Sequence, residues 1–263
     1  MLGCPCHDCD GATSCVFTTK VQKHSEQVTY LLSSAQDAVT LIVGQTKARI
    51  VCHKILLAYY SGYFNGLLYG SFAESAQAEI TLLDDDKDDM RAFVNWVYTG
   101  NIFTCHPVSG QTYGAQTKDM VDFKRIPERM WVFGDRLLAP SYSNDSMLAI
   151  MSKYRIMFLF PDAAAFVYEN TVSESKLRSF IRVLIRSEGP LARSDSSPFR
   201  PSVSDWQKIL SKNGELLSDC ILYGLANKDV DNIPYGAGNR HLYFENDPSP
   251  PVADWFEAKG TQK

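Results

Sequence analysis

Long hydrophobic runs are missing from this chain. No apolar stretch approaches the roughly 18 residues that a membrane helix requires; the nearest candidate, residues 147–160, is interrupted by Ser152, Lys153 and Arg155. The first residues, MLGCPCHDCDGATSC, lack the basic region and apolar core of a secretory signal. An intracellular, reducing compartment is therefore expected, cytoplasm or nucleus, with the seven cysteines as thiols. A strong charge of one sign is missing as well. A net charge of -4 gives no overall pull toward nucleic acid or an anionic membrane.

Catalytic and cofactor signatures are equally scarce. Gly110 and Gly114 are not followed by Gly-Lys-Ser/Thr, which removes a phosphate loop. No nucleophile, base and orienting group stand in a recognised arrangement, so no enzyme and no cofactor are expected. His53, alone between a strand and an apolar helix, reads as a hydrogen-bonded core residue rather than a base. Cys4, Cys6, Cys9 and Cys15, with His7 among them, are soft ligands of the kind zinc takes. A second close pair at a distance is absent, so a cysteine-rich arm without metal is expected. Asp84, Asp86 and Asp88 stand at the first, third and fifth positions of a calcium-loop pattern. The sixth is Asp89 where Gly is needed and the twelfth Asn95 where Glu is needed. This acidic run reads instead as the solvated start of a helix.

What is present is a core-forming composition, 45% apolar, and one stretch with clear patterning from Asp37 to Gly100. Val39–Val43 and Ala48–Cys52 are β-branched-rich runs around Gly44-Gln45-Thr46-Lys47 and predict a hairpin. Two short helices follow, over residues 55–60 and 63–69. Residues 79–82 alternate like a half-buried strand, and Met90, Phe93, Val94, Val97 and Tyr98 share a helical face that Thr99-Gly100 terminates. The order is β-β-α-α-β-α. Beyond it, residues 104–117 read as a loop and 120–138 as a helix. Pro140 is expected to break the chain before a helix over 145–160. Further helices are expected over 162–169, 174–186, 205–210 and 215–225. Arg178, Arg182 and Arg186 make a basic stripe expected to be a solvated helix face, with nucleic acid or an acidic partner as the alternatives.

These residues carry a family likeness. His53-Lys54 with Leu57 three residues on, Gly70-Ser71-Phe72-Ala73-Glu74-Ser75 before a strand, and Val97-Tyr98-Thr99-Gly100 closing a helix resemble the BTB/POZ family, in the form common among fungal BTB proteins. Residues 131–137 resemble a later helix of that family. Residues 167–171 with Lys176-Leu177-Arg178 resemble the C-terminal extension of its fungal members. The resemblance implies an α+β BTB/POZ fold, a small three-stranded sheet with a cluster of α-helices, followed by an all-helical extension.

Four regions are expected on that basis: a flexible Cys-rich arm over 1–27, a BTB/POZ-like domain over 28–160, a helical extension over 161–230 and a mobile tail over 231–263. Residues 28–32 would form a short helix at the dimer interface, and Trp255 and Phe256 would dock locally or bind a partner. The function implied is a protein-protein interaction module that self-associates as a homodimer. In some family members it is an adaptor that recruits substrates to a cullin-RING ubiquitin ligase. The alternative is a transcriptional or chromatin-associated regulator acting through BTB-mediated partner binding. Direct nucleic-acid binding and membrane binding are not expected. Phe72 and Glu74 match the apolar-any-Glu motif that contacts a cullin. Asp37 and Lys54 resemble the acid and base of a charged pocket at the dimer groove, where corepressor peptides bind.

Overall fold

The structure is a computed structural model of the chain, and residues 16–35, 37–70, 78–102, 126–191, 200–225, 238–250, 252, 254 and 255 are described. The chain divides into two compact units. The first comprises residues 1–103, 136–142 and 247–263, and the second residues 104–135 and 143–246.

In the first unit, α1 (Val16–Ser34) leads into β1 (Ala38–Val43) and β2 (Ala48–His53). Then come α2 (Lys54–Tyr60), α3 (Gly62–Tyr69), β3 (Glu79–Leu82) and α4 (Lys87–Thr99). The sheet order is β2-β1-β3, with β1 antiparallel to β2 and parallel to β3. A parallel pair needs a crossover, which α2 and α3 supply. Val39, Leu41, Val43, Ile50, Cys52, Ile80 and Leu82 are buried while their neighbours in sequence are more exposed. Strict alternation therefore turns one face of the sheet onto the core. Residues 55–60 of α2 are all buried, as an all-round apolar helix must be.

Between α2 and α3, the Ser61 hydroxyl accepts from the Phe64 N–H, capping α3, and donates to the Leu137 carbonyl at 2.6 Å. The acidic run begins α4 as expected, for the Asp86 carboxylate accepts from the N–H groups of Asp88 and Asp89. Gly100 ends the helix at φ 67°, where a Cβ would also lie 2.7 Å from the His24 ring.

Helix α1 is longer than the sequence pattern suggested. It begins at Val16, inside the stretch expected to be a flexible arm, rather than at Val28. Among its described side chains His24, Val28 and Leu31 are buried, at helical spacing. A histidine counted as polar hides that face from a search for apolar periodicity.

The second unit is helical: α5 (Ile126–Arg136), α6 (Pro140–Tyr154), α7 (Pro161–Asn170), α8 (Lys176–Glu188), α9 (Val203–Leu210) and α10 (Gly214–Gly224), with a 3-10 turn at Arg240–Tyr243. The division from the first unit falls within α5 and α6. The break expected at Pro140 is there, since α5 ends at Arg136, but Pro140 itself opens α6 where the next helix was expected only from Asp145. A first-turn proline lacks only an N–H that has no helical partner anyway, and the helix stops at Tyr154 rather than Phe160. Trp131, Met147, Ile150, Leu159, Val167, Phe180, Leu184, Trp206 and Leu216 are among the residues of the shared core. Ser175 caps α8, Asn213 caps α10, and Ser202 with Asp205 forms a reciprocal capping box on α9. Glu128 is fully buried and takes Lys153 Nζ at 2.5 Å and the Tyr154 hydroxyl at 2.8 Å.

Among the described residues no helix is long and apolar enough to cross a membrane, and no group of His, Cys, Asp and Glu is arranged to hold a metal ion. The cysteines at 4, 6, 9 and 15, His7, the loop over 104–117 and Phe256 lie outside the described residues.

Candidate interaction surface

The hairpin register decides where Asp37 and Lys54 stand. Ala38 pairs with His53, so the residue before β1 and the residue after β2 meet at the open end of the hairpin. There the Lys54 N–H donates to the Asp37 carbonyl at 2.8 Å. Asp37 is exposed and Lys54 half-buried. Asp37 reaches further by its charge. Burial first, and the Asp37 carboxylate second, push the Tyr69 hydroxyl above its usual pKa. The expected acid and base are therefore brought together by backbone pairing, with Tyr69 of α3 beside the acid. Phe72 and Glu74, the expected cullin-facing pair, lie outside the described residues, in the stretch between α3 and β3.

A second component of this unit's surface was only partly legible. In the stretch expected to be a mobile tail, Trp255 is 7% exposed and sits edge-on to Tyr59 at 5.8 Å and to Tyr69 at 6.0 Å. The Tyr59 hydroxyl donates to the Pro250 carbonyl at 3.2 Å, and the Ser141 hydroxyl donates to Asp247. Lys20 of α1, which is exposed, feels the charge of Asp247. Tyr243, in the same stretch, is buried in the second unit against Phe180 at 5.3 Å.

Helix α1 is held by aromatic contacts. The His24 ring stacks on Tyr60 at 4.8 Å, meets Trp96 at 5.3 Å, and its Nε2 lies 2.9 Å from the Val97 carbonyl. That bond makes Nε2 the protonated nitrogen, and burial keeps the ring's pKa below its ordinary 6.5. The opposite face is polar apart from Tyr30, which is 49% exposed.

His53 proves to be a hydrogen-bonded structural residue. Its Nδ1 lies 2.7 Å from the Tyr98 hydroxyl, and its N–H donates to the same oxygen at 3.1 Å. Neighbouring Cys52 is buried, with its thiol pushed up to about 12 by that burial. A thiol held protonated is no nucleophile at neutral pH, so Cys52, His53 and Tyr98 form a structural cluster.

The arginine stripe on α8 is neither a solvated face nor a nucleic-acid surface. Arg178 is 3% exposed. Its guanidinium donates to the carbonyls of Tyr168 and Thr171, to the Thr171 hydroxyl and to Glu215, while lying over the Tyr168 ring at 4.6 Å. Those carbonyls belong to the last turn of α7, where helical acceptors lack partners and the dipole favours a cation. Arg182 donates to Asp219 at 2.7 Å and to the Ser173 carbonyl, and Tyr168 donates to the same carboxylate at 2.5 Å. Arg186 is half-buried, its charge felt by Tyr243. The stripe is a clamp joining α7, α8 and α10. Spacing alone does not distinguish it from a surface stripe.

A sheet of order β2-β1-β3 fed by an α-helical crossover, with a helix docked beside α2 and α4, is the arrangement the resemblance implied. The family comparison decides it: residues 32–118 match the BTB/POZ domain. The chain carries a BTB/POZ domain. Three similar proteins are matched over part of the chain. One is a BTB and MATH domain-containing protein 15 of Caenorhabditis elegans, 33% identical over 88 residues, 32% of this chain and 32% of that protein. Another is Kelch-like protein 30 of Homo sapiens, 41% identical over 64 residues, 24% of this chain and 11% of that protein. A third is Kelch-like protein 28 of Homo sapiens, 30% identical over 83 residues, 30% of this chain and 14% of that protein. The chain thus spans about a third or less of the length of these relatives.

Proposed function

We propose that this protein is a protein-protein interaction module that self-associates through its BTB/POZ domain and acts in an intracellular compartment. The observation that carries the reading is the match of residues 32–118 to that domain, joined to the exposed end of the hairpin where Asp37 and Lys54 meet. An exposed acid and a half-buried base whose backbones are paired, with a half-buried tyrosine that feels the acid's charge, suit orientation of a partner by charge and anchoring by an aromatic ring.

The finer form of the proposal is an adaptor that joins substrates to a cullin scaffold through Phe72 and Glu74. Similarity to two Kelch-like proteins supports it, as does the motif itself. The test is a pull-down of a cullin by the wild-type chain and by a Phe72→Ala/Glu74→Lys variant. Capture by the wild type and its loss in a variant with an unchanged circular dichroism spectrum supports the adaptor. Equal capture, or none by either, removes it. The alternative is a chromatin-associated regulator that works through partner proteins; Arg178 and Arg182 give it no nucleic-acid surface, being committed to internal carbonyls and carboxylates.

A further inference from the structure

Residues 247–255 return to the first unit after the chain has run through the second. Their sequence, Asp-Pro-Ser-Pro-Pro-Val-Ala-Asp-Trp, has the make-up of a recognition peptide. Prolines at 248, 250 and 251 restrict the backbone and reduce the entropy lost on docking, and a single large aromatic ends the segment. It is also seated as such a peptide would be. Residues 246–250 are exposed, while Asp247 at one end takes the Ser141 hydroxyl and feels Lys20. In the middle the Pro250 carbonyl takes the Tyr59 hydroxyl. At the far end Trp255 is buried against Tyr59 and Tyr69.

The residues just before it have separate anchors in the second unit. Asn144 Nδ2 donates to the Glu245 carbonyl, and the Glu245 N–H donates to Asn144 Oδ1. Lys176 donates to the Leu242 carbonyl. Releasing residues 247–255 therefore takes Trp255 out of its seat on Tyr59 and Tyr69 while the anchors of Leu242 and Glu245 in the second unit remain.

We propose that the face formed by Tyr59 and Tyr69 is a binding site for an acidic, proline-rich peptide ending in tryptophan. The site is filled within the chain by Asp247, Pro250 and Trp255 and takes the same segment from a second copy of this chain. Every copy brings both halves of the fit, the aromatic seat with Ser141 and the acidic, tryptophan-bearing segment. Self-association supplies the second copy at a high effective concentration, where exchange competes with the tethered segment. The exchange rests on the self-association proposed above; the binding site does not.

Two variants separate the halves. Trp255→Ala spoils the segment and keeps the seat; Tyr69→Ala spoils the seat, at a half-buried position, and keeps the segment. Differently tagged and mixed, the Trp255→Ala chain is expected to capture the Tyr69→Ala chain about 10-fold better than it captures its own kind, the effect of one restored aromatic anchor. Equal capture overturns the exchange. A fluorescent synthetic peptide of residues 246–256 tests the site whether or not the chain self-associates. It is expected to bind the Trp255→Ala chain, and to bind a Trp255→Ala/Tyr69→Ala chain about 10-fold more weakly. Failure to bind the Trp255→Ala chain, or equal binding to both, overturns the site.

Discussion

The two units bury their polar groups in different ways. In the first, His24, Tyr60, Phe93, Trp96 and Tyr142 meet ring to ring, and α1 joins them through the neutral His24 ring beside buried Val28 and Leu31. In the second, charged groups hold the helices together: Arg178 and Arg182 reach from α8 to α7 and α10, and Lys153 meets a fully buried Glu128. Patterning in sequence describes the first kind of core well. It describes the second poorly, because an arginine that ends a neighbouring helix has the same spacing as one that faces water.

The largest expected effect lies in the second unit. Arg178→Ala leaves the Tyr168 and Thr171 carbonyls without their buried donor and is expected to cost about 3–5 kcal/mol, measured by urea unfolding. Arg178→Lys recovers little, since an ammonium does not present the planar fork that reaches several acceptors. A loss under about 1 kcal/mol for Arg178→Ala would mean that the clamp does not hold the unit together. Its exposed partner, Glu215, has a side chain 72% accessible, so Glu215→Ala belongs at the bottom of the scale, within about 1 kcal/mol.

In the first unit, Gly100→Ala forces a positive φ on alanine and drives its Cβ into His24. The expected loss is about 2 kcal/mol. Part of it should vanish in a His24→Ala background, a non-additivity that a double-mutant cycle measures directly. Additive losses would mean that the two residues are not in contact.

Acidity should separate the units by sign. His24 is held below its ordinary value of 6.5 by burial. The unfolded chain therefore binds the proton more readily, and this contribution is complete above about pH 6.5 and declines as pH falls toward the folded value. Glu188, which accepts from the Leu159 N–H at 2.7 Å, is raised by burial from 4.5 to about 7. Here the folded state binds the proton more readily, so stability is complete below about pH 4.5 and declines as pH rises to about 7. Unfolding measured from pH 4 to 8 on His24→Ala and Glu188→Gln should remove one slope each. An unchanged profile in either variant would show that the residue does not titrate on unfolding.

A smaller effect is expected where one polar side chain caps α4. Asp86→Ala, which removes the acceptor for two helix N–H groups, is expected to cost about 1 kcal/mol in urea unfolding.

Much of the BTB/POZ fold was legible because its determinants are local. Alternation in β1 and β3, an all-apolar α2 and the Gly100 stop each point to one element, and together they give the element order. The pairing of Asp37 with Lys54 follows from the hairpin register. The rest depended on contacts between residues far apart in sequence. His24 belongs to a core face only because Tyr60, Trp96 and Val97 surround it. Trp255 was marked as a docking residue, but its seat on Tyr59 and Tyr69 lies nearly 200 positions back along the chain. The start of α6 was misread because a proline that ends one pattern is also compatible with the first turn of the next helix.

Sedimentation equilibrium of the full chain at about tens of micromolar tests the proposed self-association most directly. A mass twice that of the chain is the expected result. A single-chain mass at every concentration tried would contradict it.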